Sequence, residues 1–131
     1  MTDRYLYRAK RTDNGEWITG IGISDRNHGV TLVWKSDDGC LYETYVDHST
    51  ICQCTGLKDK NGNLILENDI VNCFESECSG KISWNESEAG FYFDVLVEDG
   101  TYEEEHIYDY ADSMDVIGNI FDNPELLEVG K

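Results

Sequence analysis

The chain is short of several things at once. It has one proline, Pro124, in 131 residues, and no tract rich in glycine and serine, so no flexible hinge between independent domains is expected. No apolar run approaches the roughly 18 residues of a membrane-spanning helix. Met1-Thr2-Asp3-Arg4 leads straight into a Tyr-rich pattern without the apolar core of a leader. A soluble protein of the cell interior is the expectation. Basic residues are few: 10 Lys and Arg stand against 27 Asp and Glu, a formal charge of −17. Such a chain repels phosphate backbones, which disfavours nucleic acid as a partner, and attracts basic proteins. No segment keeps a helical apolar period for more than about two turns.

What is present is β-type. A hydrophobic content of 40%, with 11% aromatic residues, is enough to pack a core in spite of the charge. Tyr5 to Lys10, Trp17 to Ile23, Val30 to Trp34 and Cys40 to Val46 read as strands. The turn signals between them are Asp13-Asn14-Gly15, Asn27-His28-Gly29 and Ser36-Asp37-Asp38-Gly39. The expectation is a four-strand meander, with Gly20 and Gly22 marking a bulge or a close backbone approach. Asp47 to Thr50 reads as loop and Ile51 to Leu57 as extended or irregular chain. Asp59-Lys60-Asn61-Gly62 is strong turn chemistry, followed by the short apolar run Leu64-Ile65-Leu66.

Five further strands are expected at Ile70 to Phe74, Gly80 to Trp84, Phe91 to Val97, Thr101 to Ile107 and Met114 to Phe121. That is the strand count and spacing of a small SH3-like barrel. In the fourth of these strands, Glu103 and Glu105 are expected on an exposed face. Asn123-Pro124-Glu125 predicts a short terminal helix, with Asn123 as its cap. The fold class is therefore all-β, a single domain with an N-terminal meander over 1–54 and an SH3-like lobe over 55–131.

Charge is unevenly spread. Residues 1–74 hold 11 acidic and 8 basic side chains, a net of −3, while residues 75–131 hold 16 and 2, a net of −14. Glu98, Asp99, Glu103, Glu104, Glu105, Asp109, Asp112 and Asp115 form the candidate acidic interaction surface. The opposite sign gathers in Arg4, Arg8, Lys10 and Arg11, a candidate for pairing with the acidic part of a neighbouring copy in an oligomer, while Arg8, Lys10 and Arg11 with the aromatics are the candidate for nucleic-acid binding.

Chemistry-bearing patterns are weak. Cys52-Gln53-Cys54 and the Cys73–Cys78 pair depart from the Cys-x2-Cys knuckles of structural zinc, and the five cysteines are expected to be reduced. Packing is the reading for Cys52 and Cys54, with metal binding left open. Cys52 and His48 are four residues apart, with no adjoining oxyanion-type glycine motif. Gly20-Ile21-Gly22 lacks the third glycine and the helix of a dinucleotide site. No cofactor, metal or catalytic residue is expected.

Three stretches together resemble the YopX family of small phage and prophage proteins. They are Tyr5 to Arg11 with Asp13 to Trp17, Thr50 to Gly62 running on through Glu67 to Val71, and Val116 to Leu127. Gly80 to Trp84 fits the family's mid-chain strand as well. The family usually carries glycine at positions 52 and 68, an aromatic at 54 and proline at 48, where this chain has Cys52, Asn68, Cys54 and His48. The resemblance implies an all-β, SH3-like fold, a phage or prophage origin and a place in the bacterial cytoplasm. It implies no activity and transfers no catalytic residue. The resulting expectation is a non-enzymatic accessory protein that binds an unidentified host or phage protein, in its sharper form an acidic decoy. A nucleic-acid-binding barrel is the alternative.

Overall fold

The computed structural model describes residues 5–73, 78–96, 102–107 and 110–127, and only the backbone of 73, 78, 95, 96 and 102–106. The chain divides into two compact units, Met1–Cys54 and Thr55–Lys131. Strands dominate both.

In the first unit, β1 (Tyr7–Lys10) and β2 (Trp17–Gly20) form an antiparallel hairpin with Lys10 opposite Trp17 and Tyr7 opposite Gly20. Gly15 turns it at φ 73°, and the Asn14 side chain accepts from the Glu16 N–H at 2.9 Å. A second group, β3 (Gly22–Arg26), β4 (Gly29–Lys35) and β5 (Leu41–Val46), is an antiparallel meander. Strand alternation puts Val30, Leu32 and Trp34 on one face of β4, across from Val46, Thr44 and Tyr42 of β5. Leu32 and Val46 join Ala9 in the buried core of this unit, with Tyr7, Ile18, Val30 and Ile51 packed against them.

The expected four-strand meander is thus corrected. Trp17 to Ile23 is not one strand, because the chain leaves the β1 hairpin at Gly20 and joins β4 from Gly22. The cause is a crossing too close for a side chain: a Cβ on Gly20 would collide with the Val33 carbonyl oxygen and the Leu32 side chain. Two other readings change. His48–Thr50 is a single 3-10 turn capped by Asp47, whose side chain accepts from the Ser49 N–H. Ile51 to Leu57, read as extended or irregular, holds most of β6 (Cys52–Lys58). That strand starts beside β1 with Arg8 opposite Cys52 and then runs on into the second unit.

The second unit holds β7 (Leu64–Leu66) and a five-stranded antiparallel sheet. Its strands are β8 (Asp69–Cys73), β9 (Cys78–Asn85), β10 (Gly90–Leu96), β11 (Tyr102–His106) and β12 (Asp115–Asn119), in the order β11-β10-β9-β8-β12. These are the five strands expected from the sequence. A pairing of β11 with β12, which would close the sheet, is not among those of the described residues. Ile65, Val71, Ile82, Phe91, Phe93, Ile107, Ala111 and Met114 form the core. Burial of this many large apolar side chains, each stabilising by roughly 1.5–3 kcal/mol before entropy is subtracted, makes this the heavier of the two cores. The terminal helix is one 3-10 turn, Pro124–Leu127, and Asn123 is not its side-chain cap: its amide oxygen accepts from the Asn119 N–H at 3.3 Å.

Candidate functional site

The central polar stretch turns its functional groups inward. Asp59 is 5% exposed, and its carboxylate accepts from the N–H groups of Asn61 and Asn63 at 2.9 Å each and of Val116 at 3.0 Å. Burial pushes its pKa up, but the Val116, Asn63 and Asn61 donors outweigh that and hold it below the usual carboxylate value of 3.8. Lys60 N–H donates to the Met114 carbonyl and the Asn61 amide to Asp115, so the turn is clasped to the start of β12. Asp69, 1% exposed, accepts from Leu66 N–H at 2.8 Å. Thr55 Oγ1 donates to the Ile65 carbonyl at 2.7 Å, and Asn119 Oδ1 accepts from the N–H groups of Phe121 and Asp122. Oxygens used this way hold loops in place. The faint calcium-loop look of Asp59-Lys60-Asn61-Gly62 is that of a turn whose acid serves its own backbone.

The cysteine candidates separate. Cys52 and Cys54 are fully buried, and the Cys52 thiol donates to the Thr50 carbonyl at 3.2 Å, while His48 is exposed. Cys40 is exposed in the β4–β5 turn. Cys73 and Cys78 face each other in backbone register. Among the described residues no three His, Cys, Asp or Glu gather as a metal site.

The acidic candidates are not gathered by the described structure. Asp112 is exposed in a 3-10 turn, and Asp115 accepts from Asn61. Glu103, Glu104 and Glu105 stand opposite Val95, Asp94 and Phe93 in register, and the exposed face expected for Glu103 and Glu105 lies outside the described side chains. Glu98, Asp99 and Asp109 lie outside the described residues.

Of the basic candidates, Arg4 lies outside the described residues, and Arg8, Lys10 and Arg11 are drawn into their own surroundings. The Arg8 guanidinium lies 4.8 Å and the Lys10 ammonium 5.3 Å from the centre of the Trp17 ring. Arg11 pairs with Asp13, Nε to Oδ1 at 2.9 Å and a terminal nitrogen to Oδ2 at 2.8 Å. That pair raises the Arg11 pKa and lowers the Asp13 pKa.

What the sequence reading did not single out is the exposed side chains of β5. Leu41 is 63% exposed, Tyr42 46% and Tyr45 43%, all on β5. Tyr42 stacks on Trp34 with ring centres 4.8 Å apart, and Trp34 Nε1 donates to Thr44 Oγ1 at 2.9 Å. Beside this pair lies a cleft of about 320 Å3 lined by Arg11, Ile18, Thr19, Trp34 and Thr44. Leu41-Tyr42 read as strand residues; only the register could show that they lie at a poorly covered end.

The profile of the family described as YopX protein matches residues 6–128. The chain belongs to the YopX family. Among solved structures it is similar to the crystal structure of the protein yopX from Bacillus subtilis, at 24% identity and a TM-score of 0.51. That match covers 95% of this chain and 99% of the other. At that identity the likeness speaks to the YopX fold alone. No curated protein matches the chain. Among the described residues no helix is long and apolar enough to cross a membrane.

Proposed function

We propose that the chain is a non-enzymatic accessory protein of phage or prophage origin that acts in the bacterial cytoplasm by binding another protein. The observation that carries this reading is the Trp34–Tyr42 stack with its adjoining cleft, Tyr42 being 46% exposed. Single exposed apolar residues, such as Leu41 and Tyr45 on the opposite face of β5, are ordinary, whereas stacked aromatics beside a cleft have the composition of binding surfaces. The polar residues of the central stretch support the reading from the other side, since they serve the backbone instead of facing solvent.

A second reading, the acidic decoy, is favoured by where the charge sits. Residues 1–54 hold 8 acidic and 6 basic side chains, a net of −2, and residues 55–131 hold 19 and 4, a net of −15. On this reading the second unit mimics a run of phosphates and occupies a basic protein.

Capture from bacterial lysate with three forms of the chain separates the two. Replacement of Tyr42 by serine abolishes capture of a protein held by the wild type, while lysine at Glu103, Glu104 and Glu105 leaves it. The reverse pattern establishes the decoy. Equal capture by all three forms rejects both.

A further inference from the structure

The register of β8 and β9 sets two cysteines opposite each other. Ile70 pairs with Lys81, Val71 with Gly80 and Asn72 with Ser79, and the last pair is Cys73 with Cys78. The alignment is held from both ends. One step inside the cysteines the Ser79 hydroxyl donates to Asn72 Oδ1, and at the far end the Asn68 N–H donates to the Ile82 carbonyl at 2.8 Å. A slip of one residue would put the cysteines on opposite faces, and the held register keeps them on one. Residues directly opposite in an antiparallel pair have Cα atoms about 4.5 or 5.5 Å apart, and a disulfide spans about 4.4–6.8 Å. Either kind of pair meets that requirement.

The other cysteines do not. Cys52 and Cys54 stand at i and i+2 on β6, where a rise of about 3.3 Å per residue sets their Cα atoms about 6.6 Å apart with parallel Cβ directions. Their Cβ atoms are as far apart, beyond the roughly 3.5–4.5 Å of a disulfide, and both residues are fully buried. Cys40 is exposed in the β4–β5 turn and has Ser36 across from it.

We propose that Cys73 and Cys78 are a reversible thiol–disulfide pair, oxidised by a low-molecular-weight disulfide. The thiolate of one cysteine attacks a sulfur of the small disulfide, which forms a mixed disulfide and releases one small thiol. The thiolate of the other then attacks the protein sulfur of the mixed bond and releases the second. The two cysteines lose two electrons and two protons, which leave in the two thiols released. The register makes the second step intramolecular and therefore fast. Four residues, Phe74-Glu75-Ser76-Glu77, separate the pair, and closing so short a loop removes little chain entropy. The bond braces the fold weakly and opens again as small thiol accumulates. In a reducing compartment both residues stay thiols until the oxidant rises, which is how cytosolic disulfides are used.

The probe is bis(2-hydroxyethyl) disulfide, which is uncharged and so not turned away by a chain at −17. The intact chain is oxidised at about pH 8, where free thiols are partly ionised, then quenched in acid, alkylated and digested with trypsin. Cleavage after Lys60 and Lys81 frees Asn61–Lys81, whose only cysteines are Cys73 and Cys78. That peptide is expected to lose the mass of two hydrogens and take no alkyl group, at least about tenfold faster than Cys52 or Cys54 is modified. Excess 2-mercaptoethanol restores both thiols, and in Cys73→Ser a half of the probe stays on Cys78. In urea the register is gone, and the singly modified peptide is expected to accumulate at least about threefold more. A peptide that keeps one or two halves of the probe in the folded chain overturns the proposal, as does one still alkylated twice when Cys40 has reacted. Equal accumulation with and without urea, or a bond that 2-mercaptoethanol fails to open, also overturns it.

Discussion

Asp59 does the work of several residues. One buried carboxylate takes three backbone N–H groups, two from its own turn and one from β12, 57 positions away. Hydrogen bonds to a charged group each contribute about 1.5–3 kcal/mol, so Asp59→Asn, which keeps the shape but loses charge and one acceptor, is expected to cost about 2–4 kcal/mol in urea unfolding. Its pH dependence has a definite sign. The folded pKa lies below the ordinary 3.8, so the stabilisation is complete above that value and disappears as pH falls through the folded one. The gap between wild type and Asp59→Asn should therefore be flat above about pH 5 and narrow below about pH 4.

Asn68 makes a different demand. It sits at φ 70°, where its N–H donates to the Ile82 carbonyl and its own carbonyl accepts from the Ile120 N–H. Asn68→Ala is expected to cost about 1 kcal/mol, and Asn68→Gly to cost less than Ala, by the same unfolding measurement. Asp59 was legible as a turn residue, since Asp, Asn and Gly in that order have few other uses. That Asp59 reaches β12 was not legible, because a contact over 57 residues leaves no local periodicity.

At the scale of elements, the crossing at Gly20 explains where sequence reading failed. Trp17 to Ile23 has the β-branched and aromatic content of one strand, and nothing local says that it serves two sheets. The signal was Gly20 and Gly22, read as a bulge or a close backbone approach; the approach is found for Gly20 at Val33, while a Cβ on Gly22 would meet nothing within 4 Å. Gly20→Ala forces backbone against backbone and is expected to destabilise by about 1–3 kcal/mol, more if the crossing cannot relax, with loss of near-ultraviolet circular dichroism from Trp17 and Trp34. β6 escaped notice for a related reason. Cys52-Gln53-Cys54-Thr55-Gly56 has weak strand propensity, and its pairing with β1 overrides that. The five strands of the second unit were legible because polar turns punctuate them.

For the whole molecule, charge and surface pull apart. A chain at −17 repels itself when compact, so raising NaCl from about 10 to 300 mM is expected to raise its melting temperature by several degrees, and a fall would contradict this. The composition showed the charge at once but not the surface. Leu41, Tyr42 and Tyr45 look like any strand residues until the register shows which of them the core leaves uncovered.

Binding through the Trp34–Tyr42 stack and its cleft is the central claim, and the salt dependence of the two rate constants with a captured partner tests it most directly. Between about 50 and 500 mM NaCl the association rate should drop as steering by the −17 charge is screened, while the dissociation rate changes less than about threefold. A dissociation rate that rises tenfold or more with salt would place the holding contacts on the acidic residues and contradict the account.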